Sequence, residues 1–250
     1  MFAIEAYSNI DSVKTLVQEK SYSRLMKYIR KLQKGDSTKA AITRKFEYIK
    51  SYTGVNIQIQ YLLETDSIKT MVERYYTLAC IVHKNKIIYC WIRDFGEVQI
   101  RNKFTEDPVS IYEFKDTFRY KIFSLTHKAA KEYEPNPQKV FLDIETIYAI
   151  GCGWGNSLTK TRILMLEFVE KRDYNSLSSW LYSPLLEYQL YAAEGFYLLE
   201  QKGYKISKKN YQLIQYIIHK QGNCKSCAGC LYGQEIPIEL FTKKFKFKVQ

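Results

Sequence analysis

Three cysteines within seven residues, Cys224, Cys227 and Cys230, form the densest set of reactive side chains in the chain, and His219 precedes them. Thiolates at i, i+3 and i+6 in a loop containing Gly222 and Gly229 can converge on one ion, and His219 would complete a tetrahedral zinc set. The same spacing serves three ligands of an iron–sulfur cluster, although the fourth Cys and Pro of the ferredoxin pattern are replaced here by Leu231-Tyr232-Gly233. Two other readings stay open: a Cys-x-x-Cys disulfide or redox pair, and a reduced cysteine-rich turn. Cys80, Cys90 and Cys152 sit in apolar surroundings and read as small core residues, with Cys80 and Cys90 placed to face one another across a hairpin.

Other motifs stop short of a catalytic set. Phe141-Leu142-Asp143-Ile144-Glu145 resembles the first acidic motif of the 3′–5′ exonucleases, which hold two metal ions. Only Asp173 follows it as a further aspartate, so the family's metal set is not completed. Asp94-Phe95-Gly96 matches the kinase tripeptide without a glycine-rich loop or His-Arg-Asp before it, and reads as a turn. Gly151-Cys152-Gly153-Trp154-Gly155-Asn156-Ser157 lacks both the P-loop ending and the Rossmann spacing, and reads as a turn that opens a helix. The three histidines are scattered and no Gly-x-Ser-x-Gly occurs, which argues against a Ser-His-Asp hydrolase.

These groups must be positioned by a chain of 250 residues that is 46% apolar and carries a formal charge of +12. That composition excludes disordered, collagen-like and mucin-like chains. The positive excess is +6 in residues 1–60, zero in 61–150 and +6 in 151–250. Lys243-Lys244-Phe245-Lys246-Phe247-Lys248 alternates cation and ring, as a nucleic-acid surface would, but reads first as an edge strand or tail kept soluble by lysine. Lys or Arg interrupts every apolar run, so no membrane-spanning helix is expected. Met1-Phe2-Ala3-Ile4-Glu5-Ala6 lacks the features of a secretory leader, so the cytoplasm is expected; secretion or the periplasm is the alternative if a leader has been trimmed.

Apolar spacing predicts a helix capped at Asp11-Ser12 and carried by Val13, Leu16 and Val17, continued by Tyr22, Leu25, Met26, Ile29 and Leu32. After the break at Gly35-Asp36-Ser37, Ala40, Ala41, Phe46 and Ile49 predict a second helix. Residues 76–82 and 87–92 predict a hairpin around His83-Lys84-Asn85-Lys86, with a third strand at 98–101. Pro108 is expected to open a helix through Ile111, Phe114, Phe118, Ile122 and Leu125. From Ser157 onward the pattern is helical, with Asp173, Ser183-Pro184 and Ser207 as caps.

The segment from Leu16 to Ile29 echoes that from Phe168 to Leu181 at an offset of 152, which also sets Ala40-Ala41 on Ala192-Ala193. The second copy, through Leu177, Trp180, Ser183-Pro184, Leu186, Ala192-Ala193 and Gly195, resembles a HEAT-like helical repeat, mainly over residues 167–203 and more faintly over 15–50. That resemblance implies a helical surface for binding another macromolecule.

The resulting expectation is a mainly α (α+β) protein, with antiparallel helical hairpins of HEAT-like type at both ends and a small antiparallel β segment in the centre. Its divisions would be an N-terminal helical segment (1–66), a central β-containing segment (67–138) and a C-terminal helical segment (139–250) with the Cys-rich loop and basic tail. The expected function is a non-enzymatic scaffold or adaptor with a protein partner and no required cofactor. The alternatives are a metal-binding or thiol-redox protein acting through Cys224, Cys227, Cys230 and His219 with zinc or an iron–sulfur cluster, and a nucleic-acid-binding protein acting through its basic ends.

Overall fold

Val55, Ile57, Ile59 and Tyr61 alternate with Asn56, Gln58 and Gln60, and at the two-residue period of a strand this puts one apolar row on one face. In the computed structural model these residues belong to the second strand of a five-stranded antiparallel meander. The structure describes residues 2–34, 38–49, 51–65, 70–99, 109–128, 137–142, 146–153, 155–228 and 231–247. The chain divides into two units, one of residues 1–45 with 50–123 and one of residues 46–49 with 124–250.

The first unit begins with helices α1 (Phe2–Gln18) and α2 (Tyr22–Leu32). Five strands follow: β1 (Thr38–Ile49), β2 (Tyr52–Thr65), β3 (Thr70–His83), β4 (Lys86–Gln99) and β5 (Val109–Lys115). Each strand pairs with its neighbours in sequence. Lys84 and Asn85 have φ of 46° and 63°, the left-handed pair that turns β3 into β4. One sheet face carries Ile57, Ile59, Leu78, Cys80, Cys90 and Ile92, which pack with Val13, Val17, Leu25 and Ile29 of α1 and α2. On the other face Tyr52 lies against Phe123 and Tyr89 against Tyr120, the latter of each pair from α3 (Thr117–Lys128), with ring centroids 5.2 and 5.7 Å apart.

The second unit contains α4 (Pro137–Leu142), α5 (Lys160–Lys171), α6 (Tyr174–Leu181), α7 (Leu186–Gln201), α8 (Lys208–Ile218), the hairpin β6 (Asn223–Ala228) and β7 (Leu231–Pro237), and the short α9 (Glu239–Thr242). Thr159, Asp173 and Ser207 cap α5, α6 and α8, their side chains accepting from the backbone N–H of Arg162, Ser176 and Asn210. Helix α7 is the core element, with Leu190, Tyr191, Ala192, Ala193, Phe196 and Leu199 fully buried. Gly195 lets α6 approach, since a Cβ there would lie 2.7 Å from Leu177 Cδ2.

The helical-repeat expectation is overturned. The N-terminal copy would need a helix over 40–49, and that stretch is β1. Thr38, Ala40, Arg44 and Phe46 are its buried positions while Lys39, Ala41, Thr43 and Lys45 are exposed, a two-residue period, interrupted at the exposed Ile42, that the apolar spacing alone conceals. The sheet is accordingly not a small central insert: it runs from residue 38 to 115, and the fold class is α+β rather than helical hairpins at both ends. Ile111 and Phe114, expected in a helix, lie in β5, where Phe114 pairs with Cys90. Asp94, Phe95 and Gly96 continue β4 instead of turning. The helix expected to begin at Asp11-Ser12 already starts at Phe2. Residues 100 and 101 of the expected third strand, and Asp143 and Glu145 of the exonuclease-like motif, lie outside the described residues. Among the described residues no helix is long and apolar enough to cross a membrane.

Candidate functional site

Of the four expected metal ligands, the three among the described residues do not form a centre. Cys224 and Cys227 lie on β6, where an odd separation sends side chains to opposite faces. The register shift beside Cys227 is absorbed by β7, which has the extra residue Gly233 at φ 75°. Cys227 is joined in a disulfide to Cys152, 75 residues away, and a disulfide sulfur is not a thiolate ligand. Cys152, expected as a small core residue, is therefore a crosslink. Cys224 is a fully buried thiol. His219 caps the end of α8 with its Nδ1 2.7 Å from the Gln215 carbonyl oxygen and is exposed. Cys230 lies outside the described residues, and among those described no group of three or more His, Cys, Asp or Glu could hold a metal ion. The metal-binding expectation is corrected on these grounds.

The disulfide instead secures residues 147–152 beside the hairpin. Cys152 and Cys227 pack with Ile147 and Ala149, Tyr148 N donates to the Lys225 carbonyl (2.7 Å), and Ser226 Oγ donates to the Tyr148 carbonyl (2.7 Å). Glu187 of α7 accepts from Lys225 N at 2.8 Å.

A charged cluster is buried nearby in the same unit. Arg162 of α5 grips Glu194 of α7 through two bonds of 2.9 Å, and the Tyr148 hydroxyl donates to Glu194 Oε2 at 2.9 Å. Lys244 Nζ is 3.4 Å from Glu194 Oε1. Burial pushes the Glu194 carboxyl up, but the Arg162 bonds and charge outweigh it and hold the group below its usual range. The same burial, with Glu194 beside it, drives the Tyr148 phenol far above its ordinary value. A carboxylate so fully engaged has no lone pair left for proton transfer. The cluster is a clamp that ties α5, α7 and residues 148–149 together, with the Tyr191 hydroxyl accepting from Ala149 N at 3.0 Å.

A cleft of about 750 Å³ in this unit is lined in part by Tyr211, His219, Lys220, Lys243, Phe245 and Phe247. Phe245, expected in an edge strand or tail, is buried against Tyr197 at 5.5 Å, so the alternating lysine–phenylalanine stretch is docked through its rings. Lys220 is buried, donates to Gln189 Oε1 at 2.8 Å and lies over the Tyr216 ring; burial lowers its pKa to about 8. Below pH 8 both folded and unfolded chains carry this charge, and the cost of burying it is present in full. Between pH 8 and the unfolded value of 10.5 the unfolded chain holds more protons, so stability rises with pH. The gain expected across that window is about 3 kcal/mol. Urea titrations at pH 7.5 and 10 check this, and Lys220→Met should flatten the slope.

In the first unit a groove of about 660 Å³ runs along α1 and α2. Leu25, Met26, Ile29 and Leu32 turn one face of α2 into the core. The helical period therefore sends Arg24, Lys27, Arg30, Lys31 and, just past the helix, Lys34 to the groove. Glu19, paired with Arg24 at 2.9 Å, is the one carboxylate among the lining residues. Leu16 and the ring of Tyr28, whose hydroxyl donates to Asn9 Oδ1 at 2.8 Å, supply apolar surface. Sequence reasoning did not single out this site, although the stripe Arg24, Lys27, Lys31, Lys34 at helical steps was there to be found.

Compared with protein-family models, curated proteins and solved structures, the chain matches none.

Proposed function

We propose that the chain is a non-enzymatic interaction module that holds an acidic, partly apolar segment of a partner protein in the groove along α1 and α2. The observation that carries this reading is the gathering of five cations and one carboxylate around Leu16 and Tyr28. Anionic side chains would meet the cationic rim while apolar ones cover the floor, and charge complementarity of this kind sets both encounter rate and partner choice. Tyr28 is half-buried and tethered through its hydroxyl, which makes it a floor more than a base-stacking platform and favours a peptide over nucleic acid. The C-terminal helices offer less surface for such a partner, because α7 is buried along much of its length. The Cys152–Cys227 disulfide supports an oxidising compartment as the place of action.

The test is fluorescence anisotropy with a labelled Glu/Leu amphipathic peptide and, separately, a short DNA duplex, at low and moderate NaCl. Saturable peptide binding that weakens with salt and drops at least about tenfold in Lys27→Glu/Lys31→Glu is expected, since reversing charges at a complementary interface costs several kcal/mol while exposed substitutions leave the fold intact. Peptide affinity indifferent to the charge reversal, or no binding, overturns the proposal. Tighter binding to the duplex reassigns the groove to nucleic acid.

A further inference from the structure

We infer that Cys80 and Cys90 are joined by a cross-strand disulfide when the chain folds under oxidising conditions, giving the first unit a covalent staple across its central hairpin. The two residues are direct partners in the register of β3 and β4. Directly opposed residues of an antiparallel pair have Cα atoms about 4.5–5.5 Å apart, inside the roughly 4.4–6.8 Å that a disulfide spans. Their sulfurs lie 2.9 Å apart. Non-bonded carbons rest at about 3.5–4.0 Å and sulfur is the larger atom, so the pair is closer than packing alone would bring it. The neighbours on the same face, Leu78, Ile92 and Val82, are buried and apolar.

Both cysteines are completely buried. Burial and the neighbouring sulfur push the Cys90 thiol well up, so the finished core is a poor place to generate the attacking thiolate. The bond is therefore made while the hairpin exists but α1 and α2 do not yet cover it. The oxidant is a small-molecule or protein disulfide. The thiolate of one cysteine attacks a sulfur of that disulfide and expels a thiolate; the second cysteine's thiolate then attacks the protein sulfur of the mixed disulfide and expels the other. Two protein thiols and one external disulfide become one protein disulfide and two external thiols, with the electrons going to the oxidant.

The experiment refolds the reduced full-length chain in a glutathione redox buffer, unfolds it in guanidinium with an alkylating reagent and no reductant, and maps the peptides by mass spectrometry. The expected result is that Cys80 and Cys90 escape alkylation and appear in one crosslinked peptide, in wild type and in Cys152→Ser/Cys227→Ser alike. The double variant guards against exchange with the other bridge. Alkylation of both Cys80 and Cys90 in wild type whose Cys152–Cys227 bridge has formed overturns the inference, as does crosslinking of either to any other cysteine. A second measurement uses Cys80→Ala/Cys90→Ala: if the staple exists, this variant loses the wild type's sensitivity to reductant in the hydrogen exchange of β3 and β4, and an unchanged sensitivity counts against it.

Discussion

Arg162→Met is expected to destabilise the second unit by roughly 3–5 kcal/mol, because it leaves the Glu194 carboxylate buried without its main counter-charge. The two bonds of 2.9 Å between guanidinium and carboxylate, and the burial of both groups, put this pair in the range where removing one member is severe. Glu194→Gln should also be costly, since the amide oxygen replaces only one carboxylate oxygen, its NH2 faces the second Arg162 donor, and the guanidinium loses its counter-charge. Replacing both together, as Arg162→Met/Glu194→Leu, is expected to cost less than Arg162→Met alone, because two desolvated charges disappear at once. Urea unfolding of the single and double variants reads the coupling directly; equal costs for the single and double changes would show that the charge pair is not the source. The pH dependence has a definite sign. Glu194 titrates lower in the folded chain than its unfolded value of 4.5, so its contribution is complete above pH 4.5 and is lost as the pH falls through the lower folded value. Arg162→Met should remove that acid-side slope.

Cys227→Ser is expected to be of similar size. The crosslink closes a loop of 75 residues, for which the chain-entropy relation gives about 4 kcal/mol at 25 °C. Cys152 and Cys227 also share a small apolar cluster with Ile147 and Ala149, so the serine hydroxyl would replace sulfur against packed carbon. In a Cys80→Ala/Cys90→Ala background, which lacks the inferred staple, a reductant should reproduce most of the loss, and adding it to that background carrying Cys227→Ser should change little. Thermal melts with and without reductant test both statements; a melting temperature of the background chain unmoved by verified reduction would refute them. The two largest effects will not add, because Tyr148 bonds Glu194 while its neighbours pack on the disulfide.

How much of this was readable beforehand depended on sequence distance. The C-terminal helices were legible from their apolar spacing, and the caps at Asp173 and Ser207 hold the first turns of α6 and α8 as their residue types suggest. The hairpin at 76–92 was legible because its turn residues and β-branched runs are local. Strand β1 was not, since Ala40, Ala41 and Phe46 fit a helical stripe until burial shows Ala41 exposed and Arg44 buried. Pro108 suggested a helix start ahead of residues that instead extend the sheet as β5. The clamp was beyond reach for a different reason: Arg162 and Glu194 are 32 residues apart, and neither carries a local mark of burial. The cysteine spacing pointed to convergence, which a turn would have produced and a strand does not. The groove cations, by contrast, stand at helical steps within the +6 excess of residues 1–60.

The meander has a kinetic consequence. Because the strands of the sheet are hydrogen-bonded in sequence order, each hairpin closes over a short stretch of chain, and low separation between contacts favours rapid assembly. The sheet can therefore zip one strand at a time as the polypeptide leaves the ribosome. The clamp between α5 and α7 must wait until residue 194 has been synthesised, so the two halves of the protein are completed in the order in which they are translated.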